Sequence, residues 1–419
     1  MVVLSSPTDK IGLGKRKAQV SGRHQFRCIT ESEPSPRIGE VGTLSNALAA
    51  VFSLCIAIAL PSLVWAQGEQ TPANFTVAFM ADQGLNSNAE AVLKLIKNEE
   101  ADAVIHSGDF DIHDNPSGWD RQINSILGPY FPYFASVGNK DASRFYGSSG
   151  YQEFLEARMN RLGIPWDGDL GVRSSFHYKG FFILLTAPGT FGTGHDTYIR
   201  DQLASDNSIW RISSWHKNMP LMQVGGKTDE TGWGVYEESR KGGTIVATAH
   251  DQSYARTHLL SSFQNQTVAS TSNTLILASD NPNTPTDEGR SFAFVSALGG
   301  NGIYSQRRSG AWWASIYTST QGASYGALFG VFNYQGNPRL AHFYFKNING
   351  TVVDDFYVQS SVGAMEDSNL SPSRNGGTSG ESCSLGSNDY SGQGSLGTLI
   401  LFLIPVIALG WRRNGWHSK

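Results

Sequence analysis

Five side chains able to ligate a metal ion stand directly after short apolar runs: Asp82, Asp109, Asn139, His216 and His250. Carboxylate, amide and imidazole groups together are the oxygen and nitrogen donors that a hard or borderline divalent ion takes. A single acidic residue at a strand end is ordinarily a helix cap. Five such residues, each closing an apolar run, point to a shared site. Asp111, His113 and Asp114 follow Asp109 in the same loop. The two aspartates offer oxygens or serve as turn residues. His113 would have to swing in, because neighbours in an extended segment point to opposite sides. His106 falls inside an apolar run and reads as a core histidine. His177, His195, His258 and His342 have no partner by spacing and read as structural.

The elements that must position these groups alternate between strand and helix. The apolar runs are 75–81, 103–106, 131–137, 181–185, 210–215 and 244–249. Between the first two, residues 88–99 place Val92, Leu95 and Ile96 at helical spacing. This is an α/β pattern, and in open α/β sheets ligands bind at the carboxyl ends of strands. The five donors would therefore converge on one edge. Tyr254 and Arg256 would buttress the loop that follows His250. Other chemistry finds less support. The Gly225-Gly226-Lys227 stretch fits neither a phosphate-binding loop nor a dinucleotide fingerprint. No Gly-x-Ser-x-Gly elbow occurs, so a serine hydrolase has no nucleophile here.

Composition sets the frame. Of 419 residues, 40% are hydrophobic and 16% charged, with 22 Phe, 15 Tyr and 10 Trp, which excludes a disordered, collagen-like or coiled-coil chain. A net charge of −4 gives no basic footprint, so no nucleic-acid binding is expected. Cys28, Cys55 and Cys383 show no CxxC spacing and imply neither a zinc knuckle nor a disulfide framework.

The ends read as addresses. Residues 1–43 hold seven Lys or Arg against four Asp or Glu, and 44–66 are uncharged and end in Val64-Trp65-Ala66. Residues 1–66 thus form a leading segment with a secretory signal peptide, or an uncleaved anchor. Asn74, Asn265 and Asn349 open glycosylation sequons, which matter only in a glycosylating host. The globular domain is expected over 67–359, followed by a Ser/Gly-rich linker over 360–395. Residues 396–419 carry a short apolar helix of about 24 Å, closed by Arg412 and Arg413. That arrangement fits a sorting signal or a membrane anchor, with the globular part outside. Cys383 is a candidate processing or lipid-attachment position. The expected location is extracellular or cell-surface.

Five blocks carry a family resemblance: Ala81-Asp82-Gln83-Gly84, Gly108-Asp109-Phe110-Asp111-Ile112, Gly138-Asn139-Lys140-Asp141, Ser214-Trp215-His216, and the eight residues from Ala249 to Arg256. In order and spacing they resemble the calcineurin-like metallophosphoesterases, most of all the purple acid phosphatase branch. The stretch 291–358 is similar to that branch's closing strands. The resemblance implies a four-layer α-β-β-α sandwich and one or two divalent or trivalent metal ions (Fe, Zn or Mn), bridged by Asp109. Asp109, Asn139, His216 and His250 would hold one ion. Asp82 and Asp109, with a tyrosine and a second histidine, would hold the other. Here the sequence departs from the family: Ile112 stands at the tyrosine position, Gln252 at the histidine position, and Lys140 where a histidine aids the leaving group. Lys140 would offer positive charge to a phosphate or lie exposed at the cleft rim.

Two readings follow. One is an exported hydrolase in which metal-activated water attacks a phosphate ester, the substrate being a phosphorylated small molecule. The other is a catalytically impaired relative that keeps the fold for an extracellular binding or structural role.

Overall fold

Phe75–Met80 (β1) is buried at all six residues, as only a strand covered on both faces can be. In this computed structural model, which describes residues 69–228, 231–280 and 288–363, β1 lies inside a seven-stranded sheet. The order runs β12 (Thr274–Leu277), β17 (Val352–Ser360), β16 (Leu340–Asn347), β15 (Gly326–Phe332), β1, β2 (Ala103–His106), β3 (Tyr133–Ala135). The run β1-β2-β3 is parallel. A second, eight-stranded sheet runs β14 (Trp313–Tyr317), β9 (Tyr254–Thr257), β13 (Ala293–Ser296), β8 (Ile245–Thr248), β7 (Trp210–Ser214), β6 (Phe181–Thr186), β5 (Arg173–Tyr178), β4 (Asp167–Asp169). Its parallel core is β6-β7-β8-β13. A small hairpin, β10 (Leu259–Ser262) and β11 (Thr267–Ser270), stands apart.

The sheets pack face to face through aromatic rings. Phe79 of β1 meets Phe294 of β13 at 5.2 Å between centroids, and Phe332 of β15 meets Phe181 of β6 at 4.7 Å. Helices cover the outer faces. On the first sheet lie α1 (Ser87–Asn98), α2 (Pro116–Ile126) and α3 (Tyr151–Leu162). On the second lie α4 (His195–Ala204) and α5 (Trp233–Lys241), over Phe182, Leu184, Trp215 and Val246. This is the expected four-layer sandwich.

Local sequence explains the elements. Asn86 caps α1 by accepting from the Asn88 and Ala89 amides, and Asn115 caps α2 just before Pro116. The buried face of α1 is Ala89, Val92, Leu93 and Ile96, whereas Leu95, expected inside, is half-buried. The six expected strands form, with ends shifted by at most two residues. Packing runs beyond the expected boundary at 359, since the Ser361 amide donates to the Leu277 carbonyl and Val362 is buried.

Tyr254 and Arg256 do not buttress the loop after His250. Both reach Asp354 of β17, Arg256 through two hydrogen bonds of 2.7 and 2.9 Å, and so clamp one sheet to the other. The segments 1–66 and 396–419 and nearly all of 360–395 lie outside the described residues. Among the described residues, no helix is long and apolar enough to cross a membrane.

Candidate metal centre

All five strand-end donors follow the carboxyl ends of parallel strands: Asp82 after β1, Asp109 after β2, Asn139 after β3, His216 after β7, His250 after β8. Asp109, His216 and His250 each bring one ligand atom within 4.8 Å of the others, and all three are buried. His216 Nε2 lies 3.2 Å from Asp109 Oδ1 and 3.1 Å from His250 Nδ1. His216 Nδ1 donates to the Ser107 carbonyl at 2.8 Å, which fixes the ring and aims Nε2 at the cluster. Two further oxygens, Asp82 Oδ1 and Asn139 Oδ1, are buried without a hydrogen-bond partner. Buried acceptors are rarely left so. A cation among them would satisfy both, and in this respect the residues present fit a metal ion.

The backbone is shaped to make this edge. Asp82, Asp109 and His250 hold left-handed conformations, with φ of 53°, 57° and 68°. Such strain concentrates at functional sites and costs on the order of 1–3 kcal/mol per residue. Amide–carbonyl bonds from Asp82 to Gly108, Gln83 to Asp109 and Gly84 to Phe110 lock the first two loops together. The His250 amide donates to Asp82 Oδ2 at 3.1 Å and ties in the fifth. Sequence reasoning gave no role to Asp141. Its carboxylate accepts from the amides of Asp109 (2.9 Å), Phe110 (2.7 Å) and Gly138 (2.8 Å), and so holds the turn that presents Asp109. Nothing in its spacing distinguishes it from any other loop acid.

Gly138 is the tightest point. A Cβ there would sit 2.1 Å from the Asp109 amide nitrogen and 2.3 Å from Asp109 Oδ1. Gly138→Ala should therefore displace Asp109 and abolish metal retention while the sandwich stays folded. Elemental analysis beside a circular-dichroism melt checks both halves.

Charge follows from burial and proximity. Burial works to lower the His216 pKa, but the Asp109 carboxylate and the hydrogen bond to it prevail and raise it to about 9. Burial works to raise Asp109, and the His216 charge outweighs it, taking the carboxyl down to about 2. Burial, with Asp109 nearby, lifts Asp82 to about 7. Buried His106 is pushed down to about 3 and stays neutral, stacked on Tyr133 as the core histidine the sequence suggested.

No family model and no curated protein matches the sequence. Solved structures do. A purple acid phosphatase, PPD1, from yellow lupin (Lupinus luteus) seeds superposes with a TM-score of 0.52 at 16% identity, over 70% of this chain and 54% of that one. The chain has the calcineurin-like metallophosphoesterase fold. It spans little more than half the length of the lupin protein. GAP50, the anchor in the inner membrane complex of Plasmodium, gives 0.45 at 10% identity, over 69% of this chain and 90% of that one. PhoD gives 0.38 at 10% identity, over 68% and 72%.

Within this metallophosphoesterase fold, the remaining candidates divide. Lys140 contributes its amide, which donates to Asp109 Oδ1 at 2.9 Å, while its side chain is exposed at the rim. Gln252 is buried beside Asp82, where its amide favours the ionised carboxylate. Its Oε1 faces Gly302, where an added Cβ would come within 2.2 Å. Ile112 is 44% exposed, an apolar side chain at the edge of a polar site. His113 is exposed and outside the cluster. Asp111 and Asp114 are turn residues: Asp111 Oδ2 takes the Asn115 amide and Asp114 Oδ2 the Ser143 hydroxyl. A larger cavity of about 690 Å³, lined by Glu69, His177, Asp206 and Trp210, opens at the amino ends of β6 and β7, away from every candidate ligand.

Proposed function

We propose that the strand-end cluster binds one divalent metal ion tightly, through Asp109, Asn139, His216 and His250, and that the protein hydrolyses phosphate esters. The observation that carries this is the convergence of the Asp109, His216 and His250 ligand atoms within 4.8 Å on the sheet edge of a metallophosphoesterase fold. A bound ion supplies Lewis-acid chemistry, polarising phosphate oxygens and acidifying water. The chain's own part is to fix the donors. Ser107 orients His216, Asp141 orients Asp109, and the Lys140 ammonium at the rim offers charge to an incoming phosphate. Asp82 and Gln252 remain as a weak second site. The uncharged stretch 44–66 and the tail 396–419 favour export and a surface tether.

Chelated protein should be inactive on p-nitrophenyl phosphate and recover when Zn²⁺, Mn²⁺ or Fe²⁺ is added; no recovery with any of them would refute the reading. Uptake should also depend on pH. In the metal-free site His216 keeps its proton up to about pH 9, so an incoming ion must displace it. Apparent affinity should therefore rise with pH below about 9, by up to about tenfold per unit, and level off above. Titration by calorimetry between pH 6 and pH 9, over which the affinity should change by up to about a thousandfold, reads this slope.

Two observations favour the second reading, a catalytically impaired relative. Ile112 is exposed and carries no donor atom, and Gln252 sits against Asp82 and Gly302.

A further inference from the structure

A cavity of about 290 Å³ is lined by Gly226, Lys227, Tyr304, Ser305 and Arg307. Its two walls are the segment following His216 and the segment following β13, both leaving the carboxyl edge of the second sheet. Both walls are bonded to the loop that carries His250 and Gln252. The Gly225 amide donates to Asp251 Oδ2 at 2.7 Å, and the Tyr304 amide to the Gln252 carbonyl at 2.7 Å. The second wall also touches the first metal-site loop, through the Asn301 amide and the Asp82 carbonyl at 2.9 Å. The walls are bonded to each other, since the Arg307 and Arg308 amides both donate to the Val224 carbonyl at 2.8 Å.

The pocket is basic. The Lys227 ammonium stands 5.5 Å from the centroid of the Tyr304 ring, and the stem of Arg307 lies against Gly226, where a Cβ would meet it at 3.0 Å. Neither cation has a carboxylate in salt-bridge contact among the described residues. Among the described residues, Asp251 feels the Lys227 charge, but it is buried beneath Gly225 and already bonded to that amide and to Ser253. Arg308, by contrast, is spent on the Gly225 and Lys227 carbonyls. Two cations without a carboxylate partner among the described residues, in a cavity bonded to the metal-site loops, are what an additional anionic group on a substrate would use.

We infer that Lys227 and Arg307, with the Tyr304 ring beneath the lysine, form a subsite for a second phosphate on a substrate whose ester phosphate occupies the metal centre. This rests on the phosphoesterase reading and narrows its substrate class to bisphosphates.

Fructose 1,6-bisphosphate and fructose 6-phosphate serve as a matched pair of probes. On metal-loaded protein, kcat/KM should favour the bisphosphate by about 10–100-fold, as one or two charge-assisted hydrogen bonds provide. The pair Lys227→Gln and Arg307→Gln should remove most of that preference, whereas Lys94→Gln, on the exposed face of α1, should leave it intact. A calorimetric arm on His216→Ala protein separates the two claims. There the bisphosphate should still bind more tightly than the monophosphate, and the Lys227/Arg307 substitutions should erase the difference. If neither probe is hydrolysed but this binding difference holds, the phosphoesterase reading falls and the subsite stands. Equal binding of the two probes, or a preference indifferent to both substitutions, overturns the subsite.

Discussion

His216→Ala should remove the proposed metal binding and phosphoesterase activity together. The imidazole is central to the cluster: Nε2 faces both Asp109 and His250, and Nδ1 is tied to the Ser107 carbonyl. Without it the site keeps two of its three clustered donors and gains a buried, unpaired carbonyl. Loss of an outer partner alone costs about 10–100-fold in metal affinity, so loss of the ligand itself should cost more than about 100-fold. The strands around it are buried on both faces and do not depend on this ring, so the fold should persist, with a lower melting temperature. Hydrolysis that survives His216→Ala unchanged in purified protein would place the chemistry elsewhere.

Rebuilding the second site should produce the opposite change. In the triple variant Ile112→Tyr, Lys140→His, Gln252→His, metal content should rise from about one to about two ions per chain, since two clamped ions are what in-line phosphoryl displacement uses. Hydrolysis should rise by about 100-fold or more, because a positioned proton donor is worth about that much by itself. Ile112 and Lys140 are exposed, so neither replacement disturbs the core. Gln252 is buried, and histidine there must fit against Gly302. Two ions without a gain in rate would show that these three positions are not what limits the chemistry.

Much of this was legible in the sequence, for a physical reason. A donor placed right after an apolar run is fixed by the strand that precedes it, so the placement of Asp82, Asp109, Asn139, His216 and His250 needed only strand ends. The pairing of fully buried strands into two sheets was legible only through the resemblance, because a continuous apolar run such as 181–185 does not say which neighbours it takes. Side-chain partnerships formed across long sequence gaps were not legible. Tyr254 and Arg256 were expected at the loop and instead grip Asp354, about a hundred residues away in the other sheet. Asp141 escaped notice because its work is to accept backbone amides, which leaves no motif. The basic pocket was passed over because Lys227 and Arg307 meet only when the loops after β7 and β13 lie side by side.

The central claim is that the strand-end cluster is a metal centre, and metal content per chain tests it most directly. Protein covering residues 67–363, saturated with Zn²⁺, Mn²⁺ or Fe²⁺ and passed through gel filtration, should retain about one ion by elemental mass spectrometry, and the His216→Ala protein close to none. A wild-type chain that emerges with no metal, or a His216→Ala chain that keeps as much as wild type, would contradict the account.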